Sequence, residues 1–201
     1  MRGGLGDRVT RYENGADEVM QRADSDCATA AAGDSPLDAC VGPWWLVHTK
    51  PRNEKALSAD LDRGGISHFL PTTRCRRVYG GRTFHVDLPL FPSYLFLCGG
   101  DHERCATLRT HRAVQVIAVV DQQRLRAELR QIHRATTSGH PVDLYPALRR
   151  GRRCRVVRGS LTGLEGVILK RRGIWRLYLG VEILGQSAEV EVDSSSVEAI
   201  D

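Results

Sequence analysis

The run Pro89-Leu90-Phe91-Pro92-Ser93-Tyr94-Leu95-Phe96-Leu97 constrains the fold more than any other stretch of this chain. Each proline lacks a backbone N–H, so the first half is barred from the middle of a sheet. The second half alternates aromatic and aliphatic residues and is predicted to be a buried strand. The approach to that strand therefore holds Phe91, Pro92 and Tyr94 on stiff backbone. Such residues either fill a core or, left uncovered, form a docking face.

Around this run the pattern predicts an α+β domain. Trp45-Leu46-Val47 reads as a short strand ended by Pro51, and Asn53 as the cap of a helix carrying Ala56, Leu57 and Leu61 that stops at Gly64-Gly65. Residues 66–71 suggest a second strand. The glycine pair in Val78-Tyr79-Gly80-Gly81-Arg82-Thr83-Phe84 accepts the positive φ of a tight hairpin turn. A helix from Asp101 to Leu108, a strand over 114–120, and a helix opened by Asp121 with Leu125, Leu129 and Ile132 on one face complete an open sheet covered by helices.

Gly139, Pro141 and Pro146 mark residues 138–150 as a linker. Beyond it the period becomes two, at Cys154/Val156, Trp175/Leu177/Leu179, Val181/Ile183 and Val190/Val192. Frequent glycines separate these runs, so residues 151–201 are expected to form a small closed all-β barrel. Residues 1–43 are rich in Gly, Ala, Asp and Ser, and are expected to be a disordered acidic tail with at most a transient helix near residues 16–31.

Charge follows these boundaries. The chain of 201 residues is +5 overall, with four arginines against eight carboxylates in residues 1–43 and 17 lysines and arginines against nine carboxylates in residues 44–150. A basic first domain suits a phosphate backbone or an acidic protein surface. No apolar run approaches the ~20 residues needed to span a bilayer, and the first 30 residues lack the apolar core of a secretory signal. The six cysteines are scattered without a CxxC pair, which suits reduced thiols in a cytoplasm. Cys98, His102 and Cys105 form a C-x3-H-x2-C cluster that falls short of the four ligands of a structural zinc site. There is no Walker loop, GxSxG or HExxH, so neither enzyme activity nor a cofactor or metal is expected.

Three blocks, taken in order, carry a family resemblance. They are Trp44-Trp45-Leu46-Val47-His48-Thr49-Lys50-Pro51-Arg52-Asn53-Glu54, the Pro89–Leu97 run, and Val156-Val157-Arg158-Gly159 with Gly163-Leu164-Glu165-Gly166-Val167. Together they resemble the NusG/RfaH family of bacterial transcription elongation and antitermination factors over residues 44–201. The resemblance implies an NGN domain over 44–137 and an SH3-like KOW barrel over 151–201, and the wording of the proline run leans toward a specialised paralogue. It implies a monomer that binds the clamp helices of RNA polymerase's largest subunit through Trp45, Phe69, Phe91, Pro92 and Tyr94, with Phe91 and Tyr94 exposed and Phe69 or Trp45 turned inward. Contact with the non-template DNA strand is implied for Lys50, Arg52, Arg74, Arg76, Arg77 and Arg82, with Tyr79 or His85 available for stacking; a solvated charged loop fits the same residues. His102-Glu103-Arg104 stands where RfaH-like proteins carry a His-Thr-Thr turn. On the KOW domain, Leu161, Leu164, Ile183 and Leu184 match the surface that meets the ribosomal protein NusE or the termination factor Rho, with Leu161 and Leu184 expected to be exposed. The alternative is a ribosome-associated RNA-binding KOW protein, which the near-neutral charge of residues 151–201 disfavours.

Overall fold

Alternating apolar residues on β1 (Trp44–Thr49) and β5 (Tyr94–Cys98) build the centre of a four-stranded antiparallel sheet, ordered β2-β5-β1-β6. The remaining strands are β2 (His68–Phe69) and β6 (Ala113–Ala118). The computed structural model describes residues 37–145 and 151–200, all within one compact unit spanning Ser35–Asp201. Most of the acidic tail and its transient helix lie outside the described residues. Leu37 and Cys40 are buried in the core, so order begins before the expected Trp44 boundary.

Because side chains alternate across a strand, the sheet has two differently covered faces. Val47, Leu95 and Leu97 pack with Leu57 and Leu61 of α1 (Glu54–Arg63). Trp44, Leu46, Phe96 and Cys98 share the other cluster with Leu125, Leu129, Ile132 and Ala135 of α3 (Gln122–Thr137). Helix α2 (Asp101–Arg109) joins β5 to β6; its Glu103 carboxylate accepts the Gly100 N–H at 2.7 Å, so the N-cap is Gly100 rather than Asp101. The Asp121 carboxylate caps α3 by accepting the Arg124 N–H. Between β2 and β5, β3 (Thr72–Tyr79) and β4 (Arg82–Pro89) form a separate two-stranded ribbon, longer than the expected hairpin.

The second sheet is antiparallel with six strands, ordered β12-β8-β9-β10-β11-β7. Its strands are β7 (Val142–Tyr145), β8 (Arg152–Val156), β9 (Glu165–Arg171), β10 (Ile174–Val181), β11 (Gln186–Glu191) and β12 (Val197–Ala199). Two expectations change here. Residues 142–145, read as linker, are β7 paired with β11, because Val142 and Leu144 continue the period-two pattern across the prolines. The sheet runs as an open ladder, with no pairing between β7 and β12 among the described residues.

Helix α3 is the layer common to both sheets. Its buried residues belong to one cluster that also holds Val156, Leu164, Leu177, Leu179, Ala188 and Val190 of the second sheet. Polar contacts run along two sides of its apolar stripe. Toward the second sheet, Arg124 pairs with Glu182, the Glu182 N–H donates to Glu128, the Glu165 N–H donates to Gln131 Oε1 at 2.6 Å, and Arg134 donates to the Thr162 carbonyl. Toward the first, Arg126 donates to the Gly42 carbonyl at 2.7 Å and Arg130 pairs with Asp38. Of the linker expected over residues 138–150, only 138–141 separate α3 from β7, and 146–150 lie outside the described residues.

Cys40 and Cys98 are joined by a disulfide with Cα atoms 6.4 Å apart, contrary to the expectation of reduced thiols. The sequence separation of 58 residues hid a proximity that the folded segment before β1 creates. Cys75, Cys105 and Cys154 are free.

A shared central helix makes unfolding one event. Leu129 is fully buried, and Leu129→Ala is expected to cost about 2–5 kcal/mol. Urea melts followed by far-ultraviolet dichroism and by tryptophan fluorescence, which reports on Trp44 and Trp45 of the first sheet and Trp175 of the second together, are expected to shift in parallel with a single transition. Two separated transitions would contradict a shared layer.

Candidate interaction surfaces

The aromatic residues matched to a docking face do not form one continuous patch. Trp45 packs on the α1 side of the sheet, with its indole N–H donating to the Gly99 carbonyl at 2.8 Å and the Arg104 guanidinium 5.7 Å from its ring. Phe69, Phe91 and Tyr94 belong to the α3 side. Strand alternation separates Trp45 from the others, because Trp45 pairs with Leu97 whereas Leu46 pairs with Phe96.

The turn before β5 explains the largest departure. The Leu90 N–H donates to the Pro71 carbonyl at 2.8 Å, the Ser93 N–H to the Glu54 carboxylate at 2.6 Å, and the Thr49 N–H to the Ser93 carbonyl at 2.8 Å. Ser93 adopts φ 66°, the left-handed conformation that reverses the chain here. These bonds turn Phe91 inward to 0% exposure, so Phe91, expected outside, is a core residue. Pro92 is exposed, while Trp45, Phe69 and Tyr94 are half-buried. Tyr94 stacks on His48 with ring centroids 5.1 Å apart. The accessible remnant of the expected footprint is therefore Pro92 with the edges of Tyr94 and His48.

The four residues matched to the KOW surface gather against α3. Leu164 is fully buried and Leu161, expected exposed, is 5% exposed. Ile183 and Leu184 are half-buried against the shared cluster, so Leu184 is covered further than expected. The latch from Arg124, Glu128, Gln131 and Arg134 reaches the same two loops, at Thr162–Glu165 and Glu182.

The ribbon stands apart from both cores and is exposed over most of its length. Its register sorts the candidate nucleic-acid residues by face. Arg74 lies opposite Asp87 and Arg76 opposite His85, giving one basic, polar face. Cys75 lies opposite Val86, Arg77 opposite Phe84 and Tyr79 opposite Arg82, giving a second face where cations alternate with apolar groups. Tyr79 is 83% exposed and Phe84 49%. Phe84 was not among the expected stacking residues, although its place opposite Arg77 follows from the two-glycine turn. Arg74, Arg76 and His85 also line a groove of about 510 Å³ with Thr136, Thr137 and His140 beyond α3. Lys50 and Arg52 are exposed in the β1–α1 loop beside the Ser93 turn, outside the ribbon. His102 is exposed on α2 and meets Glu103 at 3.3 Å. Among the described residues no group of three or more His, Cys, Asp or Glu is placed to hold a metal ion.

Two titrating groups on α3 respond to acid in opposite directions. His133 meets the edge of Phe69 at 5.9 Å between centroids, and burial holds its pKa below the ordinary 6.5. The folded chain resists protonation there, so stability present above pH 6.5 is lost as pH falls through that value toward the lower folded pKa. Burial raises Glu128 above its ordinary 4.5, against the opposing pull of Arg124. The folded chain takes up that proton first, so stability is regained as pH falls through the window above 4.5.

Residues 42–133 match the family model NusG, described as transcription termination factor nusG. This span runs from the segment before β1 to His133 on α3 and so covers the first sheet with its helices. The second sheet lies outside the match. The structure reported as "Domain interaction in Thermotoga maritima NusG" is similar at 17% identity and a TM-score of 0.43, over 79% of this chain and 97% of that one. The structure reported as "Crystal Structure of MjSpt4:Spt5 complex conformation A" is similar at 8% identity and a TM-score of 0.28, over 79% of this chain and 98% of that one. No curated protein matches the chain.

Two measurements check these surfaces. Glu54 is 5% exposed and holds the Ser93 turn, so Glu54→Ala is expected to cost about 1–3 kcal/mol in urea unfolding; an unchanged midpoint would show that the turn does not need it. His133→Gln is expected to flatten the loss of stability below pH 6.5, whereas an unaltered pH profile would assign that loss to another group.

Proposed function

We propose that this chain is a NusG-type transcription elongation and antitermination factor that acts by binding. The observation that carries the reading is the match of residues 42–133 to the NusG family, over a sheet-and-helix domain that keeps the proline-edged turn. In this reading the first domain docks on the clamp helices of RNA polymerase through Pro92, Tyr94 and the neighbouring apolar edge. Phe91 acts from beneath by fixing the turn. The ribbon tracks the non-template DNA strand, with Arg74 and Arg76 toward phosphates and Tyr79 and Phe84 offering rings to unstacked bases.

The second sheet is the KOW-type module that recruits a further partner, NusE or Rho, through Leu161, Leu164, Ile183 and Leu184. Those residues already meet α3, so recruitment requires the module to exchange α3 for its partner. The exchange breaks four polar contacts and uncovers the second-sheet side of the α3 apolar stripe, which the partner's own apolar surface must replace. The latch's exposed ion pairs contribute little each, about 0–1 kcal/mol.

The test is retention on immobilised polymerase core. Wild type is expected to be retained and Pro92→Glu/Tyr94→Ala to be lost. Arg124→Glu/Arg134→Glu, which breaks the latch, is expected to keep polymerase binding and gain retention on immobilised NusE. A wild-type chain that polymerase core does not retain would overturn the proposal.

A further inference from the structure

The segment before β1 crosses the end of β5 as a strap, and two glycines make the crossing possible. Gly42 and Gly99 have φ of 133° and 147°, where a side chain is strained. A Cβ on Gly42 would stand 3.2 Å from the Gly99 Cα, and one on Gly99 would stand 2.6 Å from the Glu103 Cγ. With neither present, the Gly99 N–H donates to the Pro43 carbonyl at 3.1 Å, and Cys40 rests against Cys98. The close backbone approach is what brings the two sulfurs together.

The noncovalent hold on residues 37–41 is light. Asp38, Ala39 and Val41 are exposed, and Arg130 Nε donates to the Asp38 carboxylate at 2.7 Å in an exposed ion pair that contributes little. Leu37 and Cys40 supply the apolar contact, as members of the cluster that holds Leu125 and Leu129 of α3. Gly42 and Pro43 are held separately, by the Arg126 guanidinium and the Gly99 N–H. The backbone is therefore anchored at Gly42, and the part before it depends on the disulfide. Cys40 is 8% exposed and Cys98 2%, so a thiol reaches the bond when the strap lifts. Opening the bond leaves Cys98 a ready partner, because the Gly42 carbonyl lies 3.7 Å from its Sγ and accepts from an S–H. Cys40 has no such anchor on the fixed side of Gly42.

We propose that Cys40–Cys98 is a thiol–disulfide switch whose reduction releases residues 37–41 from the first sheet and from α3. The reductant is a dithiol. One of its thiolates attacks a sulfur of the pair, forming a mixed disulfide and expelling the other cysteine as thiolate; its second thiol then closes on the first. One dithiol becomes a disulfide, and Cys40 and Cys98 take up its two electrons and two protons. The choice of reductant rests on the proposed function: a transcription factor works where dithiol proteins keep thiols reduced, and disulfides found there are mostly transient or redox-sensing. The free thiols of Cys75, Cys105 and Cys154 suit the same surroundings. Release takes Leu37 and Cys40 from the cluster and the Asp38 partner from Arg130, so the redox state sets how firmly α3 is covered on its first-sheet side.

The experiment uses the full chain carrying Cys75→Ser/Cys105→Ser, which removes the accessible competing thiols, in glutathione buffers of graded ratio and in dithiothreitol. Mass spectrometry of the linked peptide is expected to show the bond opening in the reducing buffers and reforming on return to the oxidising ones. A bond that persists in dithiothreitol, or that fails to reform, would overturn the switch. In the reduced native chain iodoacetamide is expected to modify Cys40 about tenfold or more faster than Cys98, since only the strap cysteine becomes accessible. Equal rates would show that the strap stays down. Subtilisin is expected to cut within residues 37–41 about tenfold or more faster in the reduced chain, and equally fast in a Cys40→Ser variant whether or not dithiothreitol is present. Equal cutting of the oxidised and reduced chains would overturn the release. Retention on polymerase core, measured in parallel, reads the proposed function separately, because the turn at Ser93 is not part of the strap.

Discussion

Burial of one helix on two sides is the interaction on which the rest depends. Leu125, Leu129 and Ile132 of α3 are almost completely removed from water, each contributing about 1.5–3 kcal/mol. A helix against a single sheet ordinarily keeps its far side wet. Here the second sheet covers it, and the polar residues flanking the apolar stripe reach loops on one side and the segment before β1 on the other. The short connection at residues 138–141 follows from this packing, since β7 begins beside the helix that precedes it.

The same arrangement shapes the proposed docking face. Glu54, at 5% exposure, holds the turn at Ser93, and that turn sends Phe91 inward and leaves Pro92 outside. A rigid presenting turn loses less entropy on docking than a loose one. The surface left for a partner is thus smaller than an aromatic footprint of five residues, but better ordered. The ribbon is the converse case, with few core contacts and large exposed apolar groups such as Tyr79 and Phe84, an exposure that a binding role explains more readily than a packing role.

Much of the first sheet was legible in the sequence because its signals are local. Proline and glycine punctuation, the cap at Asp121 and the helical spacing of Leu125, Leu129 and Ile132 each act over a few residues. What stayed hidden depends on contacts distant in sequence. Phe91 looked like an exposed anchor because nothing near it announces the bonds to Pro71 and Glu54. Val142 and Leu144 carried a strand pattern that the flanking prolines masked. The Cys40–Cys98 pairing and the covering of Leu161 and Leu164 arise only once separate elements meet.

The account holds that the chain rests with its second sheet against α3 and exchanges that contact when engaged on the transcription machinery. Hydrogen–deuterium exchange of the full chain, alone and with polymerase core plus NusE, tests this most directly. The account expects protection around Ser93 and Tyr94 on binding, together with faster exchange in α3 amides facing the released module. Unchanged exchange at both places in a mixture that demonstrably forms a complex would contradict it.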